Sequence, residues 1–252
     1  MSDIYTYPLF RPPAEANNII VQVTYGCSYN NCSFCSMYKD KKFQTRDIND
    51  IYKNIDLLSS HYPTASRVFL ADGDALTLDT KTLVKILQYL NKKFVKLRRV
   101  SLYASAQNIL AKSTDELQTL YENKLKLVYF GIETGDNTVL KKITKGVSKE
   151  DMIEALNKVS QSGIKISATV ILGIAGKNYT KQHITNTADI INKTTINYLS
   201  TLQLGLEDDV IEKFYKHFDD FIPLNDLETL DEQKRFIEQI NSTNQVIFRS
   251  NH

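Results

Sequence analysis

Three cysteines stand within nine residues of one another, and their spacing points most directly to chemistry. Cys27, Cys32 and Cys35 form a C-x4-C-x2-C pattern in the segment TYGCSYNNCSFCSMYKD. Three thiolates on one loop can hold three irons of a cubane iron–sulfur cluster, and the missing fourth cysteine leaves one iron open to an outside ligand. The spacing therefore predicts a metal centre with a vacant coordination position at which a reaction could occur.

The same cysteines allow two plainer interpretations. They could be ligands of a structural zinc ion, or they could be buried free thiols, since cysteine often serves as a small core residue. The zinc interpretation lacks a nearby fourth ligand, because the closest histidine in the sequence is His61. A disulfide framework is excluded because the cysteines are odd in number and too closely spaced.

Polar residues also follow three apolar runs. Asp72, Gly73 and Asp74 follow RVFLA, Ser105 follows RVSLYA, and Glu133 follows LKLVYFGI. Carboxylates at strand ends can accept hydrogen bonds from an ammonium or hydroxyl group, and glycine allows a ligand to approach the backbone. The plainer alternatives are an Asp-Gly turn, a strand-to-helix turn at Ser105 and a carboxylate that complements a helix dipole at Glu133.

The elements that must position these residues follow from the hydrophobic pattern. Strands are predicted at 18–25, 67–71, 99–104, a run ending at 132, 164–174 and 198–204. Helices are predicted near 47–59, 79–93 with Asp79 as N-cap, 113–122, a stretch ending near Ser162, 180–193, 207–218 and 226–240.

Six strand-then-helix units spaced by about 30 residues predict a parallel α/β sheet with right-handed crossovers. We interpret residues 1–205 as a partial (β/α)6 barrel of the TIM type, and residues 206–252 as a C-terminal helical cap packed on this core. A flat doubly wound sheet would show the same alternation. In either fold, ligands bind at the carboxyl ends of the strands, where the cysteine segment and the polar residues fall.

The cysteine triad, with aromatic Phe34 directly before the third cysteine, resembles the signature of radical S-adenosylmethionine (radical SAM) enzymes. The commonest spacing in that family is C-x3-C-x2-C, whereas this chain has one more residue between the first two cysteines. The whole segment resembles a subgroup with the longer loop. The resemblance spans about residues 18–176 and is nearest to the branch of oxygen-independent coproporphyrinogen oxidases and tRNA-modifying relatives.

This resemblance implies a 4Fe-4S cluster on the three cysteines and S-adenosylmethionine as cofactors. Reductive cleavage of S-adenosylmethionine would yield a 5'-deoxyadenosyl radical that abstracts hydrogen from a substrate. The family motifs map onto Asp-Gly-Asp for the methionine amino group, Glu133 for ribose and methionine contacts, and Lys145, twelve positions later, for the carboxylate. Contacts with the cofactor are also expected at Phe34 and Ser105, while Lys145 could equally be a solvated surface lysine.

Two other functions remain open at this point, namely a zinc-stabilised binding module and an iron–sulfur electron carrier without radical chemistry. For the radical SAM interpretation, we expect an oxygen-sensitive enzyme with an external reductant of the flavodoxin or ferredoxin type. The substrate would be a small molecule or a nucleobase. Because the chain has only three cysteines, no second cysteine set for an auxiliary cluster is available in it.

Composition limits the partners further. The 31 basic and 29 acidic residues leave a net charge of +2. The overall charge therefore does not favour nucleic acid or an anionic membrane as a partner, although local clusters of basic residues are allowed. No apolar run reaches the roughly 20 residues of a membrane span, and the N-terminus lacks the pattern of a signal peptide. We therefore expect a cytoplasmic protein without a membrane partner. Relatives continue past the final residues, so a trimmed C-terminus is also expected.

Overall fold

The computed structural model describes residues 4–250. Its strands are Ile19–Gln22 (β1), Thr24–Tyr25 (β2), Gln44–Thr45 (β3), Arg67–Ala71 (β4), Arg99–Tyr103 (β5), Leu125–Glu133 (β6), Lys165–Leu172 (β7), Tyr198–Gln203 (β8) and Ile247–Ser250 (β9). Its α-helices are Ile48–His61 (α1), Thr80–Lys93 (α2), Ala106–Leu110 (α3), Thr114–Glu122 (α4), Asn137–Lys142 (α5), Lys149–Gln161 (α6), Gly176–Lys193 (α7), Asp208–His217 (α8) and Asp226–Glu238 (α9).

Seven of these strands form one open sheet in the order β1-β4-β5-β6-β7-β8-β9. The pairings β1–β4, β4–β5, β5–β6, β7–β8 and β8–β9 are parallel. This confirms the predicted α/β fold of partial-barrel type. The sheet has one strand more than predicted, because β9 is four residues long and the apolar run at 246–248 is too short to predict a strand by itself.

Local sequence explains where the predicted helices begin and end. Asp79 caps α2 by accepting a hydrogen bond from the Thr82 amide at 2.9 Å. Ser113 and Glu116 form a capping box at the start of α4. Gly163, just after α6, has a φ of +85°, which glycine adopts without a steric penalty.

The described residues divide into two compact units. Unit 1 comprises the described parts of Met1–Asn30, Met37–Tyr129 and Gln161–Lys165, and unit 2 comprises those of Asn31–Ser36, Phe130–Ser160 and Ile166–His252. The predicted boundary between residues 205 and 206 stays a prediction, and the ends of the two predicted domains, residues 1–3 and 251–252, lie outside the described residues. Among residues 4–250, no helix combines the length and the apolar character that crossing a bilayer requires.

The core of unit 1 contains a buried carboxylate. Glu15 is fully buried, and its Oε1 accepts hydrogen bonds from Arg99 Nη2 at 2.8 Å, Ser101 Oγ at 2.9 Å and the Tyr129 hydroxyl at 2.6 Å. A buried charge needs such partners because the interior cannot solvate it. Glu15 thereby joins the segment before β1 to the inner strands β5 and β6.

In unit 2 a second buried carboxylate attaches α9 to the rest of the unit. Glu232 Oε2 accepts from the Gly173 amide at 2.6 Å, and Oε1 accepts from Thr180 Oγ1 at 2.6 Å. Gly173 follows β7 with a φ of +77°, and Thr180 lies in α7. The C-terminal segment is therefore held to the end of β7 by one buried and one part-buried hydrogen bond.

We predict that Glu232→Ala lowers the free energy of unfolding by about 3 kcal/mol, because it leaves the buried Gly173 amide and the part-buried Thr180 hydroxyl without their acceptor. Glu228→Ala on the same helix is the matched control. It removes a partly exposed capping-box side chain, which also pairs with Lys177 at 2.6 Å, and should cost about 1 kcal/mol. Urea denaturation of both variants measures the difference, and equal losses would contradict the importance of the buried contact.

Candidate functional site

In unit 1 the cysteine segment begins directly after β2. Thr24 and Tyr25 pair antiparallel with Thr45 and Gln44 of β3, so the two ends of this segment are joined by backbone hydrogen bonds. Gly26 has a φ of +69°, and a Cβ there would lie 2.9 Å from the Lys41 carbonyl oxygen. Glycine is therefore required at the turn that leads into Cys27, both by the backbone conformation and by the close approach.

Asp72 stabilises this turn from the end of β4. Its carboxylate is fully buried, and Oδ2 accepts from the Gly26 amide at 3.1 Å, from Gln22 Nε2 at 3.2 Å and from Lys41 Nζ at 2.9 Å. The Asp72 amide donates to Thr24 Oγ1 at 3.4 Å. One carboxylate oxygen thus connects the strand end to the start of the cysteine segment.

Lys41 is the charge partner of Asp72. Only 7% of its side chain is exposed, and its Nζ also donates to the carbonyl oxygens of Thr6, at 2.7 Å, and Pro8. The ammonium group therefore has acceptors from the N-terminal segment as well as from β4. Sequence reasoning missed Lys41, because the run KDKK has the pattern of a solvated surface segment and only tertiary contacts distinguish Lys41 from Lys42.

Asp74 connects the cysteine segment to α3. Its two carboxylate oxygens accept from the Ser28 hydroxyl and from Asn108 Nδ2. Burial raises the pKa of Asp74, while the hydrogen bonds from Ser28 and Asn108 oppose that rise. Ser105 caps α3 by accepting from the Asn108 amide at 3.3 Å.

Gly73 allows an aromatic ring to pack against the strand end. A Cβ at this position would lie 2.6 Å from Tyr38 Cε2 and 3.2 Å from the Cβ of Cys27. The Tyr38 hydroxyl and Asp72 Oδ1 are buried and have no hydrogen-bond partner among the described residues. Burial and the neighbouring Asp72 charge raise the pKa of Tyr38, so its hydroxyl is protonated. The Tyr38 hydroxyl and the Asp72 carboxylate interact electrostatically with each other but without a well-formed hydrogen bond, which fits a site where a polar ligand adds a further partner.

In unit 2 the segment with the other two cysteines is held by the turn after α5. The Ser33 amide donates to the Ile143 carbonyl oxygen at 3.0 Å, and Thr144 Oγ1 donates to the Asn31 carbonyl oxygen at 2.6 Å. The next residue, Lys145, has its Nζ 5.9 Å from the centre of the Phe34 ring, a cation–π distance. This turn therefore brings a cation to the aromatic residue that precedes Cys35.

Glu133 and Lys145, both predicted from the sequence, pair with each other. The Lys145 Nζ donates to Glu133 Oε1 at 2.9 Å, and both side chains are largely buried. Glu133 has a φ of +60°, and its carboxylate folds over Gly131, where any Cβ would lie 2.0 Å from Oε1. Burial lowers the pKa of Lys145, but Glu133, Cys32 and Cys35 outweigh it and raise that pKa, so the ammonium stays charged.

Residues after Glu133 are anchored to α7. Thr134 Oγ1 lies 2.8 Å from His183 Nδ1, and Asp136 caps α5 while accepting from Gln182 Nε2 at 3.0 Å and Asn186 Nδ2 at 2.8 Å. Burial lowers the pKa of His183, so a neutral imidazole is favoured. This network stabilises the backbone turn that orients Glu133.

All three cysteines are reduced and partly exposed, as ligands that accept metal from solution must be. No three His, Cys, Asp or Glu side chains of residues 4–250 form a group suited to a single metal ion. In a cubane cluster each cysteine thiolate binds a different iron, so the three sulfur atoms need not converge on a single metal position. The roles predicted for Phe34, Asp72, Gly73, Asp74, Ser105, Glu133 and Lys145 in cofactor binding stay predictions.

Comparison with known proteins places this chain in a family. The sequence profile of the Radical SAM superfamily matches residues 21–191, which is more than half of the chain. The chain therefore belongs to the radical SAM superfamily, whose members use a 4Fe-4S cluster and S-adenosylmethionine. This confirms the family predicted from the cysteine pattern.

Two curated relatives are similar at low identity. A putative methylthiotransferase of Methanocaldococcus jannaschii is 22% identical over 160 residues, covering 62% of this chain and 35% of the relative. A tRNA-2-methylthio-N(6)-dimethylallyladenosine synthase of Petrotoga mobilis is 22% identical over 233 residues, covering 86% of this chain and 50% of the relative. The chain thus spans about a third to a half of the length of these relatives.

A solved structure supports the fold. Coproporphyrinogen III oxidase from Escherichia coli, described as a radical SAM enzyme, superimposes with a TM-score of 0.65 at 16% identity. The match covers 94% of this chain and 54% of that one. At this identity the likeness concerns the fold alone.

We predict that Lys41→Met lowers the free energy of unfolding of the cluster-free protein by about 3 kcal/mol, because it leaves the Asp72 carboxylate buried without its cation. The double variant Lys41→Met with Asp72→Asn should recover part of this loss, since neither charge then remains. Lys42→Met, at the exposed neighbour, is the control and should cost no more than about 0.5 kcal/mol. Urea denaturation decides, and equal effects at Lys41 and Lys42 would refute the buried pair.

Proposed function

We propose that this chain is a radical SAM enzyme that holds a 4Fe-4S cluster on Cys27, Cys32 and Cys35. The observation that carries the proposal is the C-x4-C-x2-C segment of reduced, partly exposed cysteines in a chain that matches the family over residues 21–191. When bound, the cluster and S-adenosylmethionine supply the reductive cleavage that gives a 5'-deoxyadenosyl radical for hydrogen abstraction.

The protein's own residues would bind and orient these groups. The Asp72 and Lys41 pair stabilises the turn before Cys27, and Asp74 offers a carboxylate to the amino group of the methionine moiety. Lys145 is a charged donor for a carboxylate, and Glu133 is an acceptor for hydroxyl groups. Phe34, Gly73 and Ser105 complete the proposed cofactor contacts.

The substrate class is a small molecule or a nucleobase, and an external reductant of the flavodoxin or ferredoxin type supplies the electron. A nucleobase is supported by the similarity to a relative whose name describes it as acting on tRNA. The 14 tyrosines and 11 phenylalanines provide ring surfaces for stacking a base or another flat ring. The predicted cytoplasmic location and oxygen sensitivity belong to the same proposal.

Anaerobic reconstitution with iron and sulfide tests the proposed function. We expect brown protein that forms 5'-deoxyadenosine from S-adenosylmethionine and dithionite, whereas Cys27→Ala, Cys32→Ala or Cys35→Ala should abolish both iron binding and product. Lys42→Met is the control and should retain both. Colourless protein that binds zinc would favour the binding module, and a cluster without 5'-deoxyadenosine would favour an electron carrier.

Binding of S-adenosylmethionine to the reconstituted protein tests the residues separately. Glu133→Gln and Lys145→Met should each raise the Kd at least about tenfold, because about 1.4 kcal/mol is lost with one charge-assisted contact. Lys141→Met, on the exposed side of α5, should leave the Kd unchanged within a factor of about two. An unchanged Kd in both site variants would contradict the assigned roles.

A further inference from the structure

The amino-terminal ends of the strands in unit 1 collect an unusual share of the basic residues. We name this surface the basic rim and define it as residues 61–67, 92–99, 121–126 and 161–165, which lead into β4, β5, β6 and β7. These segments hold nine of the 31 basic residues and one of the 29 acidic residues. The basic members are Arg67, Lys92, Lys93, Lys96, Arg98, Arg99, Lys124, Lys126 and Lys165. The near-neutral net charge therefore hides a strongly basic surface.

Hydrogen bonds and packing make the rim continuous. The Arg98 amide donates to the Ser66 carbonyl oxygen at 2.8 Å, and Lys124 Nζ donates to the Leu97 carbonyl oxygen at 2.6 Å. A Cβ on Gly163 would lie 3.2 Å from the Tyr121 ring. The four segments thus touch one another in sequence across the sheet edge.

Most of the positive charge on the rim is not neutralised. Arg67, Lys92, Lys96 and Arg98 are exposed, and in the described part of the chain none of them pairs with a carboxylate. Within residues 4–250, Lys93 forms an ion pair with Asp56 at 2.6 Å, and Arg99 forms one with the fully buried Glu15 at 2.8 Å. The Asp56 charge also interacts with Lys92, without a direct ion pair. Like charges held together repel, so this arrangement favours the binding of a polyanion.

Two apolar side chains lie among these charges. Tyr62 is 46% exposed and Val95 is 82% exposed. Tyr62 offers a ring face of the kind on which nucleic-acid bases stack, next to cations that contact phosphates. Tyr62 follows the end of α1 with its ring 6.5 Å from that of His61, and Val95 lies in the loop after α2. The two side chains do not form the apolar face of an amphipathic helix, which disfavours a membrane surface as the partner.

We propose that the basic rim binds a single-stranded segment of nucleic acid through its phosphates, with a base stacked on Tyr62. The rim lies at the amino ends of the strands, whereas Asp72, Gly73 and Asp74 follow the carboxyl end of β4. The rim is therefore a docking surface and takes no part in the reaction. The proposal does not rest on the proposed function, because phosphate binding needs no cluster.

RNA binding by the basic rim is tested by fluorescence anisotropy of the cluster-free protein. The probe is a labelled single-stranded RNA of about 20 nucleotides, which is longer than one typical site. We expect binding that weakens with KCl. The triple variant Lys92→Gln, Lys96→Gln and Arg98→Gln should bind the RNA at least about tenfold more weakly. The slope of log Kobs against log[KCl] should become smaller in magnitude by about 2, since each phosphate contact on a single strand contributes about 0.7. Tyr62→Ala should weaken binding about fivefold or more, the loss of about 1 kcal/mol of stacking, and leave the slope unchanged.

The control is Lys81→Gln with Lys85→Gln on the exposed face of α2 in the same unit, which should change the Kd by no more than about twofold. A loss in this control as large as that in the rim variant would overturn the proposal, because net charge alone would then explain binding. The absence of salt-dependent RNA binding would also overturn it. Binding of the rim to phosphatidylserine vesicles, without binding to RNA, would overturn the proposal as well. If Tyr62→Ala bound RNA with unchanged affinity, the stacking contact would be refuted.

Discussion

The buried ion pair between Lys41 and Asp72 is the interaction on which the geometry around Cys27 depends. Neither group could remain charged in the interior alone, since the desolvation of an unpaired ion costs several kcal/mol. Each therefore requires the other, and Lys41 also needs the carbonyl oxygens of Thr6 and Pro8. The pair ties the N-terminal segment, the glycine turn before Cys27 and the end of β4 to one another.

The other polar residues at the strand ends follow the same principle. Asp74 is held by Ser28 and Asn108, and Glu133 is held by Lys145. Side chains suited to a ligand are thus already hydrogen-bonded within the protein, which limits the rotamers that they must give up on binding.

Charge is distributed unevenly around unit 1. Asp72 and Asp74 at the carboxyl end of β4 are buried and hydrogen-bonded, whereas five of the nine basic residues of the basic rim are exposed. The parallel arrangement produces this separation, because every loop that enters a strand lies on one edge of the sheet and every loop that leaves a strand lies on the other. Two surfaces with different chemistry can therefore evolve independently on one sheet.

The sequence by itself determined the fold class, most element positions and the family. Apolar runs mark the inner strands because both of their faces are covered, and the spacing of the cysteines is specific enough to indicate a radical SAM protein. It also predicted site roles for Glu133 and Lys145, although not that the two side chains pair with each other. The seventh strand was revealed by the tertiary structure, because the apolar run at 246–248 is too short to distinguish a strand from a loop. The tertiary structure also distinguished buried Lys41 from exposed Lys42 and brought basic residues from four distant segments together in the basic rim. Neither could be predicted from the sequence, because burial and proximity across the sheet depend on long-range contacts that no local pattern records.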